Sequence, residues 1–301
     1  MWFLYTVCTI LCWSGSDIFS KLGAKRDDKY SHLKTVVAVG GVMGAHALWQ
    51  IFIDKIEYDP HSIIVYLPVS ALYILSMTIG YVGLRYLELS VSSPVCNSSG
   101  AVTALLCFFV LGQSMSIPQL FAAGLVCAGV FMLGILEKKD SEAELKQQCD
   151  AGSSKYTKGL WAFMLPIVYC ILDALGTFAD AFYLDGGILD ETSANVSYEL
   201  TFLFCAVVCA VYVFGIKREK LDLRYGGSRT LGAICETAGQ FTYVFAIADN
   251  AIVAAPAISS YCVFSVLWSR LFLKEKLQPK YYVAIGLVLA GVVALGIIEG
   301  A

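Results

Sequence analysis

Charge is what this sequence has least of. Of its 301 residues only 15% are charged and 58% are hydrophobic, where a soluble domain carries about 25% and about 45–50%. So few charges cannot cover a water-facing surface at this length, and the missing polarity makes a lipid bilayer the natural partner. A net charge of −3 gives no basic field, which excludes nucleic acid. The 11 cysteines make no disulfide framework. Ten of them lie in apolar segments, only Cys149 sits in a polar stretch, and no Cys-x-x-Cys or Cys/His spacing calls for zinc. Enzyme signatures are missing too: there is no Gly-x-Ser-x-Gly, no His-Glu-x-x-His and no P-loop. Without a P-loop the chain has no recognisable way to use ATP. An intramembrane aspartyl protease would need Gly-x-Gly-Asp, but Asp180 follows Gly-Thr-Phe-Ala. The sequence therefore calls for no metal, no cofactor and no catalytic residue.

What is present is a series of long apolar runs. A spanning helix needs about 20 mostly apolar residues. Ten segments qualify, at 2–22, 33–53, 62–85, 91–112, 118–136, 159–184, 192–216, 229–249, 251–273 and 280–299. The expected fold is an all-α membrane protein with ten transmembrane helices. The first run has no basic residue before it, since Lys21, Lys25 and Arg26 follow it, so it reads as a retained helix and not a cleaved signal. The longest connection, residues 137–158, is polar and charged and separates five segments from five. Of the 21 basic residues, 20 fall on or beside the connections of one side, and the other side has only Lys55 beside Asp54, Glu57, Asp59, Asp185, Asp190 and Glu191. By the positive-inside rule this places the linker 138–158 in the cytoplasm and both termini outside, in a multi-pass protein of the plasma membrane.

The two halves also repeat. Residues 124–137, GLVCAGVFMLGILE, and residues 286–299, GLVLAGVVALGIIE, are identical at ten of fourteen positions with an offset of 162. The same offset pairs Pro94 with Pro256, Tyr81 with Tyr243, Ser98 with Ser260 and Gln113 with Glu275. Five is an odd number, so the second unit enters the membrane inverted. Inverted repeats, here 1–137 and 159–301 flanking the linker 138–158, are an architecture of secondary transporters. The ending PAISSYCVFSVLWSRLFLKEKLQPKYYVAIGLVLAGVVALG, with its early proline, its Phe-Leu-x-Glu and its Gly-rich last helix, resembles the EamA-type ten-helix branch of the drug/metabolite transporter superfamily. The resemblance covers essentially the whole chain. It implies two five-helix repeats around a central cavity lined mainly by helices 1, 3, 4, 6, 8 and 9, and transport of an unspecified small-molecule substrate.

Ionisable groups deep in a bilayer are costly and mark sites or structural pairs. Asp173 and Glu236 fall near the midpoints of the sixth and eighth segments. Tyr169, Asp173, Gly176 and Asp180 recur at helical spacing on one face, as do Glu236, Gln240 and Tyr243. These stripes read either as a cation or proton site or as neutral carboxyls hydrogen-bonded between helices. Asp17 lies four residues before Lys21 and fits either an ion pair or the site. Trp13, one turn deeper, fits either cation stacking or packing. Tyr81 and Tyr243 occupy equivalent positions, and Asn97 lies near Pro94. His46 and Glu199 fit a hydrogen bond between peripheral helices better than a site. The glycines Gly124, Gly129, Gly134, Gly286, Gly291 and Gly296 read as close helix packing. The expected substrate is an amine, amino acid or other cationic compound, carried by alternating access with protons as the candidate coupling ion. A non-transporting sensor or assembly protein, and a channel, are the rival readings. The sequence does not fix the oligomeric state.

Overall fold

The computed structural model describes residues 1–25, 28–87, 89–150, 156–220, 223–274 and 279–300. Among these there are helices and turns and no strands. The helices are α1 (Trp2–Gly23), α2 (Ser31–Phe52), α3 (Ser62–Gly83), α4 (Leu89–Cys96), α5 (Ser99–Val110), α6 (Ile117–Asp150), α7 (Tyr156–Asp185), α8 (Glu191–Ala210), α9 (Leu223–Ile258), α10 (Tyr261–Trp268) and α11 (Tyr281–Gly300). Short π-helical turns, Val211–Ile216 and Ser269–Leu273, extend α8 and α10. Seven helical stretches among the described residues are long and apolar enough to cross a membrane, and Tyr281–Leu295 is a shorter apolar helix. Large apolar side chains such as Leu4, Phe109, Phe121, Phe204 and Phe272 face outward, as a lipid-facing surface requires. The chain is a multi-pass membrane protein.

Several boundaries differ from the sequence expectation, each for a local reason. The eighth and ninth expected segments are joined in one helix, α9, which kinks at Asn250 (φ −161°, ψ 76°). The fourth is split into α4 and α5 by a turn at Asn97–Ser98, and the ninth breaks again at Ser259–Ser260. Each break follows a proline, Pro94 or Pro256, which stays inside its helix and removes one backbone donor. The polar linker is helical as far as Asp150, in keeping with the good helix formers in EAELKQQ. Residues 151–155 and Glu275 lie outside the described residues, as do the side chain of Cys149 and the packing around Gly296. Trp2–Gly23 is less apolar than its length promises because Ser14, Ser16, Asp17 and Ser20 dilute it.

Small residues let these helices approach closely. At the contact of α2 with α8, a Cβ on Gly40 would lie 2.4 Å from Phe202 O, and one on Gly44 would lie 2.6 Å from a Leu203 methyl. The same contact brings together two residues each expected to bond between helices, with His46 Nδ1 2.8 Å from Glu199 Oε1. Glu199 is fully buried and Asn195 Nδ2 also donates to it at 3.2 Å. Helix α1 packs along α9, α3 along α7, and α6 along α11. The glycine runs do not all act alike. Gly129 and Gly291 sit at the α6–α11 contact, whereas Gly124 and Gly286 face open space.

Candidate functional site

The centre of the bundle holds a cavity with about 970 Å³ of unfilled space, counting its open part. Its walls come from α1, α3, α4, α5, α7, α9 and α10, with Tyr198 from α8. The lining begins at mid-bundle with Tyr73, Thr177 and Tyr243. It runs to Ser20, Leu84 and Leu89, at the end of the bundle joined by the basic connections. Beside that end Lys21 Nζ donates to the carbonyls of Leu84, at 2.8 Å, and Leu87. Toward the opposite end the bundle is closed by buried tyrosines, Tyr66, Tyr73, Tyr198 and Tyr243.

Three carboxyl groups stand on the cavity wall, one from each of three helices: Asp17 of α1, Asp173 of α7 and Glu236 of α9. Each is partly exposed there and each is met by hydroxyls. Asp17 Oδ2 accepts from Ser93 Oγ at 2.7 Å and from Ser265 Oγ at 2.6 Å. Asp173 Oδ2 accepts from Ser99 Oγ at 2.7 Å and also hydrogen-bonds Tyr169. Ser16 hydrogen-bonds Glu236. Among the described residues, none that lines the cavity is Lys, Arg or His. Hydroxyl donors hold a carboxylate in place without neutralising it, so the wall keeps the capacity to meet a positive charge.

The breaks after the two prolines put polar backbone and side chains on this wall. Asn97 Nδ2 donates to Ser93 O at 2.8 Å, and Ser259 Oγ donates to Ala255 O at 3.1 Å. Both residues line the cavity. Irregular backbone at membrane depth is tolerated where it lines such a space. Trp13 packs its ring on Tyr243, with centroids 4.8 Å apart, and edge-on against Tyr261 at 5.7 Å. It fits because the neighbouring position on α9 is Gly239: a Cβ there would lie 2.4 Å from Trp13 Cδ1.

Of the ten residues singled out from sequence, nine line this cavity: Trp13, Asp17, Tyr81, Asn97, Tyr169, Asp173, Glu236, Gln240 and Tyr243. Asp180 does not. It is fully buried beyond the cavity's inner end, where Tyr66 Oη and Tyr73 Oη donate to it, the latter at 3.4 Å. Tyr73 Oη lies 2.6 Å from Tyr243 Oη, and Tyr243 Oη lies 2.9 Å from Thr177 Oγ1. A ladder of hydroxyls thus joins Asp180 to the wall. Sequence reasoning missed Tyr73 and Met77, although Tyr66, Tyr73, Met77 and Tyr81 recur on one face of α3 at the spacing that identified the other stripes. It also missed Ser93, Ser99 and Ser265, because an isolated serine in an apolar helix gives no periodic signal.

Comparison with known proteins accords with this arrangement. Residues 1–135 match the EamA-like transporter family, a family of the drug/metabolite transporter superfamily and not of enzymes. A solved crystal structure, described only as that of a protein, superposes with a TM-score of 0.67 at 12% identity, over 98% of this chain and 96% of that one. The likeness is one of fold. No curated protein matches the chain.

Proposed function

Because residues 1–135 belong to the EamA-like transporter family, we propose that the chain is a secondary transporter of a small organic solute, working by alternating access. Amines, amino acids and other cationic compounds are the favoured cargo. The observation that carries this reading is the cavity wall, where Asp17, Asp173 and Glu236 converge with no basic side chain among the described lining residues. Aromatic faces from Trp13, Tyr243 and Tyr261 stand on the same wall and suit an organic cation.

The proposed frame is ten crossings in two inverted five-helix repeats, 1–137 and 159–301, in the plasma membrane with both termini outside. Three observations support it. The run Tyr225–Leu273 is 49 residues long, enough for two crossings. The pairing of α1 with α9 is matched by that of α7 with α3, as exchange of the halves requires. The contacts of Gly129 with Ala284 and Val288 are mirrored by those of Gly291 with Ala122 and Val126, each pair displaced by the sequence offset of 162. Protons are the proposed coupling ion.

The test is flux in liposomes reconstituted with the purified protein, using radiolabelled putrescine, tetraethylammonium and lysine. The expected result is saturable, exchangeable uptake of at least one cation. A hydrogen bond to a charged group is worth about 1.5–3 kcal/mol, so Glu236→Gln should raise KM by about 10–100-fold. Unchanged KM in Asp17→Asn, Asp173→Asn and Glu236→Gln alike would sink the reading, and unsaturable flux would indicate a channel instead.

A further inference from the structure

Asp180 is a buried carboxyl that the cargo cavity does not use. It sits between α3 and α7, fully inaccessible, and its described partners are hydroxyls. The titratable groups facing it are Tyr66 and Tyr73 of α3, Tyr243 of α9 behind them, Tyr198 of α8 against the Tyr73 ring, and Asp173 two turns away on its own helix. None of these is a cation.

The hydroxyls around it form a chain that reads in either direction. With Asp180 ionised, Tyr73 donates to Asp180 and Tyr243 donates to Tyr73. With Asp180 protonated, Tyr73 turns its hydrogen to Tyr243 and Tyr243 donates to Thr177. The recorded geometry allows both, since either oxygen can be the donor across the 2.6 Å Tyr73–Tyr243 contact, and Tyr243 donates to Thr177 at 2.9 Å. A proton arriving from the cavity at Tyr243, which lines it, is passed on by two hops. Tyr243 hands its own hydrogen to Tyr73, and Tyr73 hands its own to Asp180 Oδ2. Each hydroxyl takes one proton and gives one, so every intermediate oxygen ends neutral and only the carboxylate changes charge. Asp173, Thr177 and Asp180 share one face of α7 at i, i+4 and i+7, which brings a cavity carboxyl to the entrance of the chain.

We propose that Asp180 is a proton-binding site separate from the cargo site, reached from the cavity through Tyr243 and Tyr73, and that it is where the coupling proton is held. The proposal rests on the carrier reading above and assigns its coupling group. It also predicts a mechanical consequence. An ionised carboxylate accepts from both Tyr66 and Tyr73, whereas a protonated one must donate one of its contacts. Protonation therefore weakens the tie between α3 and α7 at the closed end of the cavity.

Two measurements test it. The first is infrared difference spectroscopy of the purified protein across a pH titration, which needs no cargo. One component of the protonated-carboxyl C=O bands should be present in wild type, in Asp173→Asn and in Glu236→Gln, and missing in Asp180→Asn. If Asp180→Asn loses no component, the proposal is overturned. The second is uptake of the same three radiolabelled probes into liposomes. Asp180→Asn should exchange internal for external probe but fail to accumulate it against a pH gradient, its accumulation ratio falling to unity. Tyr73→Phe, which removes one rung and keeps the carboxyl, should reach the wild-type ratio several-fold more slowly. Accumulation by Asp180→Asn equal to wild type overturns the proposal. If wild type moves none of the probes, the carrier reading falls, and the infrared band still decides whether Asp180 takes up a proton.

Discussion

The contact between α6 and α11 offers a prediction with an internal control. At Gly129 a Cβ would lie 2.5 Å from Val288 Cγ2 and 2.8 Å from Ala284 O, and at Gly291 it would lie 2.7 Å from both Ala122 O and Val126 Cγ2. Heavy atoms in favourable contact sit about 3.5–4.0 Å apart. The valine methyl can turn away, but a backbone carbonyl cannot, so the two helices must separate by several tenths of an ångström along the seam. Overpacking of this kind costs about 1–3 kcal/mol. The helix-propensity gain of alanine over glycine, about 0.8–1 kcal/mol, returns only part of it. Gly124 and Gly286 belong to the same repeated glycine runs yet have nothing within 4 Å of a Cβ. There the propensity gain stands alone. Gly129→Ala and Gly291→Ala should therefore lower the thermal midpoint of the purified protein in detergent, while Gly124→Ala and Gly286→Ala leave it unchanged or raise it. The double variant Gly129→Ala/Gly291→Ala should cost less than the two singles together, because the first substitution has already opened the seam the second would strain. If Gly129→Ala and Gly124→Ala melt alike, close approach is not what holds α6 to α11.

Two further outcomes follow from polar pairs outside the cavity. His46→Leu leaves the buried Glu199 carboxyl with Asn195 as its remaining described partner. It should cost about 3–5 kcal/mol, the usual penalty for stranding one member of a buried pair, whereas His46→Leu/Glu199→Leu should recover much of that in the same melting assay. In the loop before α2, burial pushes Asp28 up. The hydrogen bond from Lys34 at 2.8 Å, the Tyr30 N–H and the charges of Lys34 and Arg229 outweigh burial and hold Asp28 below the ordinary carboxylate range. Lys34 also reaches Glu219 at 3.3 Å, so this pair ties two connections together. Asp28 binds fewer protons folded than unfolded, so its contribution is complete above about pH 4 and is lost as pH falls through the lowered value. Melting scans from neutral to acid pH should show that decline in wild type and a shallower one in Lys34→Met.

Periodicity made much of this site legible, and its limits lie in particular residues. Tyr169, Asp173 and Asp180 share a face, and the first two reach the cavity while the third does not. A helical stripe fixes the side of a helix a residue occupies but not where along it the open space ends, and that is set by Tyr66, Tyr73 and Tyr243 from two other helices. The stripe on α3 carried the same signal as the others but no acid to draw attention to it. Helix ends were harder. Pro94 and Pro256 lie near the starts of the fourth and ninth expected segments, yet each lies within a helix and the break falls a few residues later, where Asn97 and Ser259 meet the cavity. The repeat predicted that the glycine runs pack. It could not tell Gly129 from Gly124, because that depends on which face α11 presents.

On the proposed two-repeat reading, position i corresponds to i plus 162, and the contacts divide into those that keep this symmetry and those that break it. The outer seams keep it. Gly129 meets Ala284 and Val288 as Gly291 meets Ala122 and Val126, and Gly40 meets Phe202, its own counterpart. The central pairs do not. Gly15 of α1 lies beside Cys235 of α9, and Tyr73, the counterpart of Cys235, lies beside Gly176, the neighbour of Gly15's counterpart Thr177. Thr9 meets Thr242 at 2.8 Å, yet Gly80, the counterpart of Thr242, meets Tyr169 two positions away from the expected Ile171. At these positions the contacts of the α1–α9 and α3–α7 pairings are thus not matched residue for residue. Two halves in perfect register would leave the cavity equally accessible from both ends. A carrier held in one state must break the symmetry in the helices around its cargo and can keep it in the helices that only brace them. The lining reaches the basic end, and buried tyrosines close the other. On the proposed two-repeat reading, the opposite state exchanges the surroundings of the α1–α9 and α3–α7 pairs, while the seams of Gly40 and Gly129 stay as they are.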